Sequence, residues 1–305
     1  MRIALFSCMR DEGPFLLEWL AYHQHLGFTE TIIATNDCQD GSDLLLDALA
    51  EAGVLRHLRH SPPKGVPPQE SGIGALYAAF GTAPPDWLLH IDSDEFLWLD
   101  EGETLTSLIT RAGEAHVVAL PWAGFGDAGY RSWPGATLPF FTRRGVWPDP
   151  EFDKFKSLFR PGAFGSANDH MPMAPKLADP RVVSPLGEKL YNGVLLDGRH
   201  HSRYRPFTLS LKPGPARINH YAIRSTDTFV ARAKRGDGQG KSAGKYRIGS
   251  LWHRKANRND VEDLSMLRHW PATEAGIEAL RALPGVAEAE ARCIAYHAPK
   301  GGKKK

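Results

Sequence analysis

Three carboxylates stand within four positions of the segment "LLHIDSDEFLWL", residues 88–99: Asp92, Asp94 and Glu95. They follow an apolar run that is typical of a buried β-strand, and large apolar side chains come directly after them. Like charges this close repel each other, so the cluster requires a cation, solvent or a shifted pKa to persist. Carboxylate oxygens suit Mg²⁺ or Mn²⁺, which often take one or two of them and leave positions for substrate phosphates.

Several interpretations of this acidic segment can be weighed against its neighbours. A dehalogenase-type phosphatase usually has threonine or valine two positions after its second aspartate, where this chain has Phe96. A calcium-binding loop is disfavoured because Phe96 and Leu97 occupy its fifth and sixth positions. A structural interpretation is also possible: a solvated strand end followed by a helix, with Asp94 as the cap of that helix. The remaining interpretation is a divalent cation that bridges the diphosphate of a nucleotide sugar and stabilises the charge on the leaving oxygen.

The elements before this segment alternate in type. Short apolar runs predict strands, and apolar side chains at helical spacing predict helices. The predicted strands are "RIALFSC", "ETIIATND", "VLRHLRH" and "DWLLHID", and the predicted helices between them are "PFLLEWLAYHQHLG", "DLLLDALAEAG" and "ESGIGALYAAFGTA". This order is typical of an α/β fold with an open, mostly parallel sheet flanked by helices.

Ligands of such sheets bind outside the carboxyl ends of the strands, so the residues that follow each strand are the first candidates for a site. They are Arg10, Glu12, Asn36, Asp37 and Asp40, together with the acidic cluster. After residue 120 the pattern is less regular and rich in loops. Further strands are predicted in "AHVVALPWAGFG", "FKSLFRP" and "RINHYAI", a helix with Ser225 as its N-cap in "STDTFVARAKRG", and a surface helix in "EAGIEALRALPG".

Composition excludes some classes of protein. Of the 305 residues, 42% are hydrophobic and 24% charged, which is usual for a globular protein and unlike a disordered or fibrous one. The net charge is +2, partly from the terminal "KGGKKK". The body is therefore close to neutral and lacks the basic footprint of a nucleic-acid-binding protein.

Cysteine content and hydropathy bear on the compartment. Cys8, Cys38 and Cys293 have no Cys-x-x-Cys spacing and predict reduced thiols rather than disulfides or a zinc site. No stretch approaches the roughly twenty consecutive apolar residues that span a membrane, and the apolar part of "MRIALFSCMRDEG" is too short for a secretion signal. We expect a cytoplasmic protein without a transmembrane segment, for which peripheral membrane contact stays open.

Six segments resemble, in the same order, blocks of the bacterial glycosyltransferase-2-like proteins related to glycosyltransferase family 92. They are "RDEGPFLLEWLAYHQHLGF", "NDCQDGS", "DWLLHIDSDEFL", "FGDAGY", "KSLFRP" and "INHYAIRSTDTFVARAKRG". The Asp-x-Asp-Glu-Phe block and the His-Tyr block about 125 residues downstream are together more specific than either alone. The resemblance implies a GT-A fold, a nucleotide-diphosphate sugar as donor, a UDP-sugar being favoured, and a divalent metal, Mn²⁺ or Mg²⁺. It also implies transfer, in polysaccharide biosynthesis, to a glycan or a lipid-linked (glycolipid) acceptor.

The resemblance also divides the chain. Residues 1–265 would form the GT-A domain, with a nucleotide-sugar-binding half at 1–120 and an acceptor-binding, metal-completing half at 121–265. A C-terminal helical segment would cover 266–298, and a disordered basic tail 299–305.

Carried over residue by residue, the resemblance implies a metal site. Asp94 would bind the metal directly, Asp92 would contact the donor ribose or the water shell of the metal, and His220 would complete the site. Its spacing alone favours a hydrogen-bonded structural residue as the role of His220.

The resemblance implies donor-binding residues too. Glu12, Asp37 and Asp40 match positions near the nucleobase and ribose, where carboxylates accept hydrogen bonds, although "NDCQDGS" also suits a turn. Arg10 and Asn36 join the predicted donor-binding set because they follow the first two strands; the family often has a lysine-asparagine pair where this chain has Arg10 and Asp11. Gln69 matches a family glutamine, with a surface loop residue as the alternative. Lys156 and Arg160 in "KSLFRP" would neutralise phosphate, with a solvated edge strand as the alternative.

The catalytic base and the stereochemistry are left open by the sequence. An inverting transferase needs a carboxylate that accepts the proton of the acceptor hydroxyl. Asp127, Glu151, Asp153 and Asp169 are available in the acceptor half, and Asp127 and Asp169 are the favoured candidates. A retaining enzyme could do without such a base. The alternative function is a non-catalytic nucleotide- or carbohydrate-binding protein on the same fold.

Overall fold

The computed structural model describes residues 1–149, 152–234, 236 and 243–298. Glu151 and the predicted tail at 299–305 lie outside the described residues. The first strands are β1 (Ile3–Met9), β2 (Glu30–Thr35), β3 (Arg56–Arg59), β4 (Trp87–His90), β5 (Glu95–Leu99) and β6 (Val117–Gly124). The helices between them are α1 (Gly13–His25), α2 (Ser42–Glu51), α3 (Pro68–Phe80) and α4 (Leu105–Ala112).

The second half is built from shorter elements. Its strands are β7 (Arg143–Arg144), β8 (Phe155–Phe159), β9 (Phe164–Ala167), β10 (Pro172–Pro175), β11 (Val182–Val183), β12 (Lys189–Leu190), β13 (Ala216–His220) and β14 (Val261–Glu262). Its helices are α5 (Gly193–Leu196), α6 (Phe207–Ser210), α7 (Thr226–Ala231), α8 (Leu251–Ala256), α9 (Trp270–Arg281) and α10 (Val286–His297). Ser225 is the residue before α7, as predicted.

Ten strands of the described chain form one sheet, with the order β12-β11-β6-β8-β4-β1-β2-β3 and with β13 pairing with both β5 and β6. The neighbours β4, β1, β2 and β3 are parallel. By contrast, β8 is antiparallel to both β4 and β6. The α/β fold is therefore confirmed, and the sheet as a whole is mixed because β8 is inserted between two strands of the opposite direction.

Strand β1 is buried on both faces. Ile3 and Leu5 belong to the core shared with α1 and α2, whereas Ala4 and Phe6 belong to the core shared with α3. Successive side chains of a strand point to opposite faces, so a strand covered on both sides reads as a continuous apolar run. This is the pattern of "RIALFSC".

Strand β5 was not predicted from the sequence. It follows the acidic segment after a short turn and pairs antiparallel with β13, with His220 opposite Glu95. Strand β13 also pairs in parallel with β6. The backbone N–H of Tyr221 donates to the carbonyl oxygen of Asp94 at 2.8 Å. These pairings bring the end of β13 to the acidic turn.

The C-terminal helices α9 and α10 pack against α1 and α2. Ile277, Leu280 and Val286 belong to the same core as the buried leucines of α1. Gly13 is needed at the start of α1 because a Cβ atom there would lie 2.3 Å from the Sγ atom of Cys293 in α10. Cys8, Cys38 and Cys293 are free thiols, as predicted. No helix in the described ranges combines the length and apolar character required to cross a membrane.

Asp263 connects three segments of the second half. Its carboxylate accepts hydrogen bonds from Nε of Arg144 in β7 at 2.6 Å and from Nη2 of Arg217 in β13 at 2.7 Å. Burial raises the pKa of Asp263, but hydrogen bonds from Ser265 and Arg144 and the charge of Arg217 outweigh it and lower the pKa to about 2. The ionised carboxylate therefore stabilises the fold.

We expect Asp263→Asn to lower the free energy of unfolding at pH 7 by about 2–4 kcal/mol, because it leaves buried Arg217 without its counter-charge. A depressed carboxyl pKa contributes stability that is complete above the unfolded-state value and is lost as pH falls toward the folded-state value. The difference between parent and variant should therefore shrink from pH 5 to pH 3 in urea unfolding. Asp260→Asn, at an exposed ion pair with Arg258, is the control, and a pH-independent difference would contradict the prediction.

Candidate active site

A cavity of about 750 Å³ opens at the carboxyl ends of β1, β2 and β4, which is where ligands bind in sheets of this kind. Its size lies within the range of small-molecule sites, about 300–1,000 Å³. Eight of the residues predicted from the sequence contribute to its wall: Arg10, Glu12, Asn36, Gln69, Asp92, Asp94, Asp169 and His220. Residues from both halves of the chain therefore meet in one cavity.

Four other predicted residues lie outside the described wall of this cavity. Asp37 accepts a hydrogen bond from Nδ2 of Asn36. Asp40 accepts from the N–H groups of Ser42 and Gly13 and contacts Nε2 of His297 at 2.9 Å, so it joins the loop after β2 to α1 and α10.

The other two residues outside the wall are Asp127 and Lys156. The Asp127 carboxylate accepts hydrogen bonds from Asn257 and Asn259 and from the N–H of Gly129. Lys156 is buried behind the cavity, with its side chain 1% exposed.

The three clustered carboxylates diverge to different partners. Asp92 accepts a hydrogen bond from Nε2 of Gln69 at 2.9 Å and lies 3.2 Å from Nζ of Lys156. Asp94 forms an ion pair with Nη1 of Arg232 at 2.8 Å. Mutual repulsion is thus offset by cations that come from β8 and from the segment after α7.

Glu95 is the carboxylate that turns away from the cavity. It is fully buried, one oxygen lies 3.1 Å from Nζ of Lys156, and the same oxygen accepts the N–H of Asp92 at 2.8 Å. Burial raises the pKa of Glu95 well above its ordinary value, although the charge of Lys156 opposes this. Burial also lowers the pKa of Lys156, but the charges of Asp92 and Glu95 outweigh it and raise that pKa above its ordinary value.

Asp94 and His220 are neighbours in the wall of the cavity. Oδ1 of Asp94 lies 3.5 Å from Nε2 of His220. Burial opposes ionisation of Asp94, but the charges of Arg232 and His220 outweigh it and hold the pKa of this carboxyl well below its ordinary value. The imidazole packs against Trp122, with 4.2 Å between the ring centroids.

These donor atoms fit a divalent cation only if the substrate supplies further ligands. Within the described ranges, no group of three or more His, Cys, Asp or Glu side chains is close enough together to hold a metal by itself. Mg²⁺ and Mn²⁺ accept such incomplete sites, because they keep waters and bind substrate phosphates beside one or two protein carboxylates. Asp94 and His220 thus suit a metal that binds together with a phosphate group.

Two arginines of the site were missed in the sequence. Arg232 lines the cavity beside Asp94. Arg224 is fully buried behind it, donates to the carbonyl oxygen of Ser93 at 2.7 Å and lies 3.4 Å from Glu12. Both follow the His-Tyr block in "AIRSTDTFVARAKRG", and no local pattern in that segment marks them as residues of the site.

Parts of this chain are similar in sequence to known proteins. No protein-family model matches the chain. A glycosyltransferase family 92 protein of Ricinus communis is 29% identical over 170 residues, which are 54% of this chain and 29% of that protein. A family 92 protein of Arabidopsis thaliana is 25% identical over 245 residues, 75% of this chain and 36% of that protein. The predicted likeness to family 92 is confirmed, here with plant proteins, and the matches span about a third of these relatives.

Solved structures show weaker similarity. The chain resembles Staphylococcus aureus TarS residues 1–349 in complex with UDP, with 19% identity and a TM-score of 0.32 over 44% of this chain and 38% of that one. It also resembles glucosyl-3-phosphoglycerate synthase of Mycobacterium tuberculosis, solved with Mn²⁺, UDP and glucosyl-3-phosphoglycerate, with 16% identity and a TM-score of 0.27 over 40% and 44% of the two chains.

We expect Lys156→Met to lower the free energy of unfolding by about 3–5 kcal/mol, because it leaves buried Glu95 beside Asp92 without a cation. Adding Glu95→Gln should recover part of this loss, since the uncompensated acid is removed. Urea unfolding of the single and double variants measures the effect. Lys212→Met is the matched control: Lys212 pairs with Glu188 at the surface, so its loss should cost less than about 1 kcal/mol. Equal costs at the two lysines would contradict the role given to Lys156.

Proposed function

We propose that this protein is a metal-dependent glycosyltransferase that moves a sugar from a nucleotide-diphosphate donor, a UDP-sugar, to a glycan or glycolipid acceptor. The observation that carries the proposal is the convergence of Asp94, His220 and Arg232 on one cavity at the carboxyl ends of the parallel strands. Similarity to family 92 glycosyltransferases supports it.

Donor binding is assigned to the wall formed by the first half, residues 1–120. Glu12 and Asn36 are assigned to the nucleobase and ribose, since carboxylate and amide groups form hydrogen bonds with hydroxyl and N–H groups. Gln69 donates a hydrogen bond to Asp92, and Asp92 would contact the ribose. Arg10 contributes a positive charge to the same wall. Asp37 and Asp40 act indirectly, through Asn36 and through the loop after β2.

Asp94 and His220 would hold Mn²⁺ or Mg²⁺, with diphosphate oxygens and water as the other ligands. A bound metal acts as a Lewis acid that stabilises negative charge on the departing diphosphate. Arg232 forms an ion pair with Asp94. It adds a fixed positive charge beside the departing diphosphate. Lys156 binds no phosphate in this proposal; it holds Asp92 and Glu95 in place.

Acceptor activation is assigned to the second half, residues 121–265, with the helical segment 266–298 as a support behind α1 and α2. Asp169 lines the cavity, and its side chain is 27% exposed. Burial opposes its ionisation, but the charges of His170 and Lys156 outweigh burial and lower the pKa of Asp169. An ionised carboxylate at the cavity suits a general base. Asp127 is engaged by Asn257 and Asn259, which favours Asp169.

A non-catalytic nucleotide- or carbohydrate-binding protein is the second candidate. It is favoured by one observation: Asp92 and Asp94 are both paired with protein cations, Lys156 and Arg232. Such pairs stabilise a cavity without any metal. Turnover of the donor separates the two functions.

We expect a UDP-sugar with Mn²⁺ to raise the unfolding temperature more than GDP-, CMP- or dTDP-sugars do, because a ligand that binds the native state stabilises it by mass action. At a hundredfold excess over Kd the stabilisation is about 2.7 kcal/mol, a rise of several degrees. Asp94→Asn should abolish the Mn²⁺-dependent part of the shift and the hydrolysis of the donor.

The control for this experiment is Glu114→Gln, at a carboxylate that is 88% exposed. Mn²⁺-dependent binding without hydrolysis by the parent would favour the binding protein. Undiminished hydrolysis by Asp94→Asn would rule out the metal role given to Asp94.

We expect Asp169→Asn to lower kcat for UDP release by about 10²–10⁴-fold, the usual contribution of general base catalysis, with little change in donor affinity. Asp127→Asn should lower kcat far less, because Asp127 lies outside the described wall of the cavity. Steady-state kinetics of UDP release, with water or a sugar as acceptor, measures both variants. A larger loss in Asp127→Asn would assign the base to Asp127, and no loss in either variant would favour a retaining mechanism.

A further inference from the structure

A second cavity, of about 320 Å³, adjoins the first. We call it the α3 groove: one face of α3, with Ile73, Gly74 and Tyr77, forms one side, and the β9–β10 hairpin, with Ser166, Asn168 and Met173, forms the other. Three residues, Gln69, Asp169 and His200, line both cavities. The two cavities are thus adjacent, and the carboxylate proposed as the base lies on their shared boundary.

The wall of the α3 groove combines apolar side chains with hydrogen-bonding groups. Tyr77, Ile73 and Met173 supply the apolar part, and the hydroxyl of Tyr77 is fixed by donation to the carbonyl oxygen of Ser166 at 3.1 Å. Sites for small molecules combine apolar lining with a few placed polar groups in this way. A sugar ring, with an apolar face and polar edges, matches such a wall.

Asn168 adds a polar side chain to the wall of this groove. It is 6% exposed, and its Oδ1 accepts the N–H groups of His170 and Met171 at 2.7 and 2.8 Å. Its Nδ2 is a buried donor that has no partner among the described residues. An unpaired buried donor costs about 1–3 kcal/mol.

We propose that the α3 groove binds the acceptor glycan beyond the sugar that receives the transferred residue. The acceptor is therefore an oligosaccharide of two or more units, and its reacting hydroxyl lies at Asp169, between the two cavities. This inference rests on the proposed function and adds the acceptor class to it. It also gives a reason for the position of Asp169, because a base must contact the acceptor at the point where acceptor and donor meet.

Gly74 permits a direct test. It is exposed on α3, and a Cβ atom added there would meet nothing within 4 Å. Gly74→Phe therefore fills the groove without a clash at its base, and it replaces glycine by a better helix former. Ala275→Phe is the matched control, since it adds the same side chain at an exposed position of α9, a helix that lines neither cavity.

The experiment is a glycan-array measurement on the full chain, saturated with UDP and Mn²⁺. The parent and Ala275→Phe should bind oligosaccharides of two or more units more tightly than the corresponding monosaccharides. Gly74→Phe should lose at least about tenfold in that affinity, which is about 1.4 kcal/mol. Absence of oligosaccharide binding by the parent, or equal binding by Gly74→Phe, would overturn the inference. UDP affinity by calorimetry and donor hydrolysis on the same samples report separately on the proposed function.

Discussion

The compensation of charge around residues 92–95 is the constraint on which the site depends. Three acids lie within four positions, and two cations from distant parts of the chain stabilise them: Lys156 of β8 and Arg232 after α7. A strand pairing brings each cation close to the acids. Strand β8 lies beside β4 in the sheet, and β13 joins β5 to β6 just before the segment that carries Arg232. The mixed sheet therefore brings both cations next to the acids at residues 92–95, where they offset the repulsion between these acids.

Local patterns were sufficient to predict much of the first half. The strands β1 to β4 and the helices between them follow from short apolar runs and helical spacing, because both signals are contained in consecutive residues. The position of Arg10, Asn36 and Asp92 at one end of the sheet follows from the general rule for parallel strands. These residues do line one cavity.

Contacts between distant segments of the chain could not be predicted from local sequence patterns. "EFLWL" continues an apolar stretch, and only the presence of β13 makes it a strand. Lys156 resembled a phosphate ligand in the sequence, but burial and two carboxylate partners 61 and 64 positions away give it a structural role. Arg232 lies 138 residues from Asp94. No periodicity or spacing encodes contacts of this length, and the resemblance to family 92 supplied the one long-range pairing, Asp94 with His220, that was expected.

The packing of α9 and α10 against α1 has a consequence for biosynthesis. The apolar face of α1 leaves the ribosome more than two hundred residues before Ile277, Leu280 and Cys293, which share its core. Domains otherwise tend to fold from the N-terminus as they are made. Here the contacts of α1 with α9 and α10 form only after residues 270–297 have been made.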